Sequence, residues 1–354
     1  DYNIRTEATA APHSGMLRFT FPADKQSRIQ IDLARRVGGT STWQEVKVVD
    51  KHTIAGKMIC TPDGGGWGNG EGKANYTVYF YAQFSKPLKN YGVWSADIPD
   101  DQPRKRENIE SDAYQQLIAD AKIIPGVKEF KGKHLGFYSE FETQKDEQIL
   151  LKAGISFTSP EGAEKNLKAE IQDWDFSQVY DNSRILWDKA LDKISVEGKN
   201  EEQKTIFYTS LYHTMIDPRI FSDVNGEYPG ADGKVYISDS FTKRTIFSGW
   251  DVFRSQMPLQ TIINPQLIDD LLNSLIVLAE QSGKEYYERW ELLNAYSGCM
   301  LGNPAISVLA DAYAKGIRKY DIEKAYQYAV NSSEKFGNGE LGYTPDPIGI
   351  SKTL

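Results

Sequence analysis

The segment Phe247-Ser248-Gly249-Trp250-Asp251-Val252-Phe253-Arg254 brings an indole, a carboxylate and a guanidinium together in a short stretch of chain. That mix suits a sugar. A pyranose ring presents apolar C–H faces that pack on an indole, and its hydroxyls want the paired acceptors and donors that Asp251 and Arg254 carry. A second cluster, Tyr286-Tyr287-Glu288-Arg289-Trp290-Glu291, repeats the chemistry after Gly283. The competing reading of both is structural, a helix-capping ion pair beside a packed tryptophan.

Other chemistries find less support. No Gly-x-Ser-x-Gly elbow occurs, and His13, His52, His134 and His213 have no evident partners, so they are read as structural or exposed. No paired-His spacing points to zinc. Asp223, Asn225 and Glu227 have the oxygen-rich look of a calcium loop but lack its sixth-position glycine and closing Glu, which leaves two tandem turns. The run Pro62 to Gly72 is rich in glycine, yet Gly72-Lys73 leads into Ala74 rather than the Ser or Thr of a phosphate loop, so a hairpin loop is expected there. Cys60 and Cys299 lie far apart and suggest neither a disulfide framework nor a cysteine metal cluster.

These residues need elements to position them. A chain of 354 residues gives a prior of about two domains. Its net charge of -8 argues against nucleic acid as a main partner, and no apolar run approaches the roughly 18 residues of a membrane span. The first 160 residues alternate with period two: Leu17, Phe19 and Phe21, then Ile29, Ile31 and Leu33, read as a hairpin about the Ala23–Ser27 turn. Val78, Phe80, Ala82 and Phe84 alternate with Tyr79 and Tyr81, which predicts a strand covered on both sides. Ile149, Leu151, Ile155 and Phe157 suggest two short strands about Gly154, and the whole suggests an antiparallel β-sandwich.

From about residue 175 the period becomes 3.6. Val179, Leu186, Ala190 and Ile194 share one helical face, and Asn200 is the expected N-cap of a helix from Glu201 to Thr214. Asn264-Pro265 and Asn303-Pro304 launch helices over Gln266–Gln281 and Ala305–Ile317, and Asp321 caps another through about Lys335. Between them runs a strand-like excursion from Glu227 to Phe247, with turns at Asn225-Gly226 and Asp232-Gly233.

The wording of this second half closely resembles glycoside hydrolase family 92, the bacterial exo-acting alpha-mannosidases. The resemblance runs through Ser210-Leu-Tyr-His-Thr-Met215, Phe221-Ser-Asp-Val-Asn-Gly-Glu-Tyr228, Asp232-Gly-Lys234 and Ser248-Gly-Trp-Asp-Val-Phe-Arg254, then Pro265 to Gln281, Gly298-Cys-Met300 and Ala310-Asp-Ala-Tyr-Ala-Lys-Gly316. It implies an N-terminal sandwich followed by an (α/α)6 toroid, with an active site between them and a calcium ion that binds sugar hydroxyls. Trp250 and Asp251 match the family's substrate-contact motif. Asp251 is therefore expected to accept hydrogen bonds from mannose, Trp250 to pack nearby, Arg254 to hold Asp251 in place, and Glu288 and Glu291 to be contacts at the rim.

The resemblance divides the chain into a β-sandwich over 1–160 that lacks its N-terminal part, a linker with a helix over 161–200, and the first part of the toroid over 201–354. The family's catalytic carboxylates and most calcium ligands follow a Gly-x-Glu-Pro-like and an Asp-Asp-x-Gly-Gln-like segment. Neither occurs here, so both the general acid and the general base are expected beyond Leu354, and the metal ligands within the chain are unassigned. About five legible helices are too few for six α/α hairpins, which leads to the same expectation of a fragment. The function implied is part of a calcium-dependent, inverting exo-alpha-mannosidase acting on alpha-mannosides such as N-glycan mannose, in a periplasmic, cell-surface or secreted bacterial protein. The alternative is a non-catalytic carbohydrate-binding or scaffold protein of the same architecture.

Overall fold

Alternation along a strand sends one set of side chains into a core and the other outward, and in the computed structural model this rule builds the first half of the chain. The structure describes residues 2–36, 39–61, 74–99, 111–297, 300 and 302–337, and these fall into two compact units that divide after Ile185. The glycine-rich run 62–72 and Cys299 lie outside the described residues.

The first unit is a sandwich of two antiparallel sheets. Its strands are β1 (Arg5–Ala10), β2 (Ser14–Phe21), β3 (Asp24–Asp32), a short ribbon β4 (Arg35–Arg36) and β5 (Gly39–Thr40), β6 (Trp43–Val48), β7 (Thr53–Cys60), β8 (Tyr76–Phe84), β9 (Asn90–Ser95), β10 (Lys122–Pro125), β11 (Glu129–Gly132), β12 (Leu135–Thr143) and β13 (Glu147–Ser156). One sheet runs β1-β2-β13-β8-β7-β6-β11 and the other β10-β9-β12-β3. Phe21, Val46, Ile54, Phe84 and Ile149 from the first meet Ile29, Val93, Leu135, Phe137 and Phe141 from the second in one core. Burial of so many large apolar side chains, about 1.5–3 kcal/mol each, is what holds the sheets face to face.

Two expectations are corrected here. β2 and β3 are not a hairpin: β2 pairs with β1 and β13, β3 pairs with β12, and the chain crosses from sheet to sheet between them. Phe21 and Ile29 then enter the same core from opposite sheets, which satisfies the same alternation. Nor does Gly154 separate two strands, since β13 runs through it. A Cβ at Gly154 would lie 2.3 Å from the carbonyl oxygen of Ala163, so the glycine is there to admit a helix.

That helix is α2 (Pro160–Glu170), which follows α1 (Asp112–Ala119) in the chain. Leu167 and Ile171 pack with Met16, Tyr81 and Leu150 on the outer face of the larger sheet, so β8 is covered on both sides as its alternating tyrosines imply. Lys152 of β13 is buried and donates to the carbonyls of Ile171 (3.1 Å), Gln172 (3.1 Å) and Asp173 (3.2 Å) just past the helix end. Three acceptors satisfy the three ammonium donors, at the helix terminus where a cation is favoured. His13 also has a partner that sequence did not reveal, with its Nδ1 2.6 Å from Glu170.

The helix α3 (Phe176–Leu191) contains the division between units. The second unit continues with α4 (Glu201–His213), capped as expected by Asn200, whose side chain accepts from the Gln203 N–H at 3.2 Å. Ribbons β14 (Arg219–Ile220) with β17 (Arg244–Thr245) and β15 (Glu227–Pro229) with β16 (Val235–Ile237) make up the excursion, and Gly226 and Gly233 have φ of 82° and 80° at its turns. Three very short strands, β18 (Phe247–Ser248), β19 (Trp290–Leu292) and β20 (Ala295–Tyr296), form one sheet. The helices α5 (Gly249–Val252), α6 (Gln256–Ile263), α7 (Pro265–Gln281), α8 (Pro304–Ala314) and α9 (Ile322–Gly337) complete the unit.

α7 is the centre of this unit, with Ile268, Leu271, Leu272, Leu275, Ile276 and Ala279 in a core shared with α8 and α9. Asp321 caps α9 by accepting the Lys324 N–H at 3.0 Å. Asn264 and Asn303 precede their prolines as expected but make no side-chain cap: the Asn264 amide bonds Gln260 and its oxygen accepts from Lys193. Among the described residues no helix is long and apolar enough to cross a membrane.

Candidate functional site

The excursion returns to the helical body through residues 242–248, and buried polar groups clamp it there from two sides. On one side Asp270 of α7 accepts the Thr242 N–H (3.1 Å) and the Arg244 guanidinium (3.3 Å), while Ser274, one turn on, accepts the Arg244 N–H (2.8 Å). Arg244 completes its fork on the Pro218 carbonyl at 3.1 Å, and burial pulls its pKa down against the pull of Asp270. On the other side stands Glu291 of β19. Its Oε1 accepts from the Thr245 hydroxyl (2.8 Å) and the Asn294 N–H (2.7 Å), and its Oε2 from the Ile246 N–H (2.7 Å).

Ile246 has φ of 67°, a left-handed conformation that a β-branched residue adopts only under constraint. The Glu291 carboxylate supplies that constraint. It also fixes the tight turn at Leu293 and Asn294, both with positive φ (51° and 68°). Beside this carboxylate lies Lys243, 1% exposed, whose ammonium donates to the Arg244 carbonyl at 3.2 Å and sits 5.8 Å from the Phe221 ring centroid. Burial pulls its pKa down to about 8, with Glu291 opposing the shift.

So braced, the chain enters α5. Gly249 passes against neighbouring backbone, since a Cβ there would lie 2.5 Å from the Arg289 carbonyl oxygen and 2.5 Å from Pro304. The next residues emerge at the surface: Trp250 is 36% exposed, and Asp251 and Arg254 are exposed. Asp251 accepts a hydrogen bond from the Ser248 hydroxyl. Arg254 does not hold Asp251, contrary to expectation. Its guanidinium carbon lies 4.9 Å from the Trp250 ring centroid and 5.2 Å from that of Phe253. The one-turn helix ends at Val252, so the i,i+3 neighbourhood that would pair the two charges is not continued to Arg254.

Glu288 and Glu291 are each 2% exposed, which places neither at an exposed rim. Glu288 accepts the Trp290 N–H at 3.1 Å, and Glu291 is committed to the three donors above. The structure therefore brings Trp250, Asp251 and Arg254 together as one surface cluster, with Glu291 behind it as an anchor. Asp223, Asn225 and Glu227 form a turn, with the Gly226 N–H on the Asp223 carbonyl at 2.9 Å and the Glu227 N–H on the Asn225 side chain at 3.3 Å. Among the described residues no three His, Cys, Asp or Glu side chains are grouped to hold a metal ion. Sequence reasoning missed Lys243, Asp270 and Ser274. The one signal for them was Asp269-Asp270 set among the apolar positions of α7, where an unpaired carboxylate could not be buried.

Residues 1–156 match the sequence model of the glycosyl hydrolase family 92 N-terminal domain, and residues 162–348 that of the family's catalytic domain. No curated protein matches the chain. Among solved structures, a family GH92 alpha-mannosidase from Bacteroides thetaiotaomicron, seen also in complex with mannoimidazole, is 28% identical, with a TM-score of 0.80 over 94% of this chain and 41% of its own. An inverting GH92 mannosidase of the same organism is 23% identical, with a TM-score of 0.78 over 97% of this chain and 43% of that one. The chain thus spans about two-fifths of the length of the structures it resembles.

Proposed function

Proceeding from the fact that the chain belongs to glycosyl hydrolase family 92, we propose that it is the N-terminal domain and the first part of the toroidal catalytic domain of a calcium-dependent, inverting exo-alpha-mannosidase. The substrate is a terminal mannose of an alpha-mannoside, such as that of an N-glycan. The observation that carries this reading is the exposed Trp250–Asp251 turn, held by buried clamps, in a chain 28% identical to an alpha-mannosidase over nearly its whole length.

In this reading Asp251 accepts hydrogen bonds from hydroxyls of the terminal mannose and Trp250 packs beside the ring. Ser248 orients the Asp251 carboxylate, leaving its other oxygen for the sugar. Arg254 acts through Trp250, as its guanidinium lies over the indole. Inversion needs an acid for the leaving oxygen and a base for water on the opposite face, roughly 6.5–9.5 Å apart. Glu291, with its oxygens committed to Thr245, Ile246 and Asn294, is unsuited to either role. Both are assigned to parts of the protein outside this chain. Among the described residues no three His, Cys, Asp or Glu side chains are grouped to hold the ion, so its ligands are left unassigned and no step is derived through it.

The test is hydrolysis of an aryl alpha-mannoside by the full-length protein with stereochemistry followed by NMR. Release of the beta anomer supports the reading. Absence of turnover alongside retained mannoside binding would support a non-catalytic carbohydrate-binding protein instead.

A further inference from the structure

The outer face of the four-stranded sheet carries a cavity of about 570 Å³, away from the Trp250 cluster in sequence and within the first unit alone. That volume is in the range of small-ligand sites. Its floor is built in an unusual way. Gly136 of β12 is paired with Trp94 of β9, and Tyr138 of β12 is paired with Gly92 of β9. A Cβ at Gly136 would lie 1.9–2.3 Å from three atoms of the Trp94 indole, and one at Gly92 would lie 2.7 Å from the Tyr138 hydroxyl. Each ring therefore lies across a glycine on the neighbouring strand, where any larger residue would lift it. The Trp94 indole rests one face on the sheet and is left lining the cavity with the other.

Polar groups stand around this floor. β3 alternates, so Ile29 and Ile31 turn to the sandwich core while Arg28, Gln30 and Asp32 line the cavity, and His134 closes one end. Tyr114 and Ile118 of α1 also line it. Arg28 is already neutralised: its guanidinium pairs with Glu140 at 2.5 Å and lies 5.4 Å from the Tyr138 ring centroid. A wall whose arginine is paired and which also carries the Asp32 carboxylate, one oxygen of it accepting the Ala34 N–H at 3.0 Å, suits a neutral ligand better than a phosphate. We infer that this cavity is a second carbohydrate-binding site, in which a pyranose stacks on Trp94 and its hydroxyls are bound by Gln30 and Asp32.

The choice of a mannose probe rests on the function proposed above, so the test carries independent arms. Binding of alpha-1,2-mannobiose, cellobiose and lactose to the 354-residue chain is followed by saturation-transfer NMR titration, for the wild type and for Trp94→Ala, Gln30→Ala and Asp251→Ala, with melting temperature recorded for each. The expected result is binding of at least one disaccharide, weakened about tenfold or more by Trp94→Ala, which is the loss of one good stacking contact. Gln30→Ala, on an exposed position, should weaken it with no change in melting temperature, which covers the case in which Trp94→Ala misfolds. Asp251→Ala should leave the part of the binding that depends on Trp94 and Gln30 intact, whatever it does to mannobiose at the first site. Binding lost in Asp251→Ala but unaffected by Gln30→Ala, or no binding of any of the three sugars, overturns the proposal. So does a site present in the chain but insensitive to Gln30→Ala in the full-length protein, which would show the face covered there. Binding that depends on Trp94 in a protein without mannosidase activity would leave this site standing and remove the hydrolase reading instead.

Discussion

Glu291→Gln changes one atom and should destabilise the chain substantially. The carboxylate receives three donors, the Thr245 hydroxyl and Asn294 N–H on one oxygen and the Ile246 N–H on the other. A carboxamide has one oxygen. In its better orientation that oxygen keeps Thr245 and Asn294, and the new NH₂ then faces the Ile246 N–H, donor against donor. A hydrogen bond to a charged acceptor contributes about 1.5–3 kcal/mol, and a buried N–H left unsatisfied costs about 1–3 kcal/mol. These overlap, so the expected loss is about 2–4 kcal/mol. Lys243 adds to it at neutral pH, because Glu291 is the charge that favours its ammonium. Urea unfolding at pH 7, followed by tryptophan fluorescence, should show the midpoint for the second unit lowered by about 1–2 M at a slope of about 2 kcal/mol/M. A loss below about 0.5 kcal/mol would refute the anchoring role and return Glu291 to the list of residues free for substrate.

Lys243 gives a pH test. Its pKa is lowered in the folded state from 10.5 to about 8, so between those values the unfolded chain holds a proton the folded chain has lost, and stability rises with pH through that window. The rise is about 3 kcal/mol at most, and subtracting the profile of Lys243→Met, measured by urea unfolding at pH 7.5, 9 and 10, should isolate it; a flat difference would show that the ammonium is not desolvated. Lys152→Met should leave three carbonyls past α2 without their donor, costing about 2 kcal/mol or more. Hydrogen exchange should then quicken in 160–175 before the rest of the sandwich, and uniform protection would contradict the capping role. With the acid and base assigned outside it in the proposal above, the 354-residue chain alone should hydrolyse no aryl alpha-mannoside with or without calcium, because loss of an acid alone removes about 10²- to 10⁴-fold. Turnover within tenfold of the full-length protein would place an acid and a base within the chain.

Sequence made the sandwich legible because half-buried strands print their period directly, as at β8, where Phe84 and Ala82 face the core and Tyr81 faces α2. Period says which face is buried but not which sheet a strand joins, and so β2 and β3 read as a hairpin although they lie in different sheets. Gly154 read as a break because a glycine in a strand has no period of its own, and only the Ala163 carbonyl shows why it is needed. α6 was missed since its eight residues include Met257-Pro258 and end directly at Asn264-Pro265, leaving too few turns to establish a helical face. In the site, the exposed Trp250 and Asp251 were legible from residue type. The anchor was not, because the Glu291 that holds Thr245 and Ile246 lies 46 and 45 positions away from them, and nothing local distinguishes it from Glu288.

Asp251 is proposed to touch the sugar, and Asp251→Ala in the full-length protein is the sharpest test of that contact. Charge-assisted hydrogen bonds contribute about 1.5–3 kcal/mol each, and bonds to ring hydroxyls strengthen toward the oxocarbenium-like transition state. The expected result is a loss of kcat/KM of at least about tenfold, and about 10²-fold where two such bonds are made, with a melting temperature within about a degree of wild type. Near-wild-type kcat/KM at unchanged stability would contradict the assignment. A melting temperature lowered by several degrees with normal specific activity would contradict it too, and would show that Asp251 only caps α5 through Ser248.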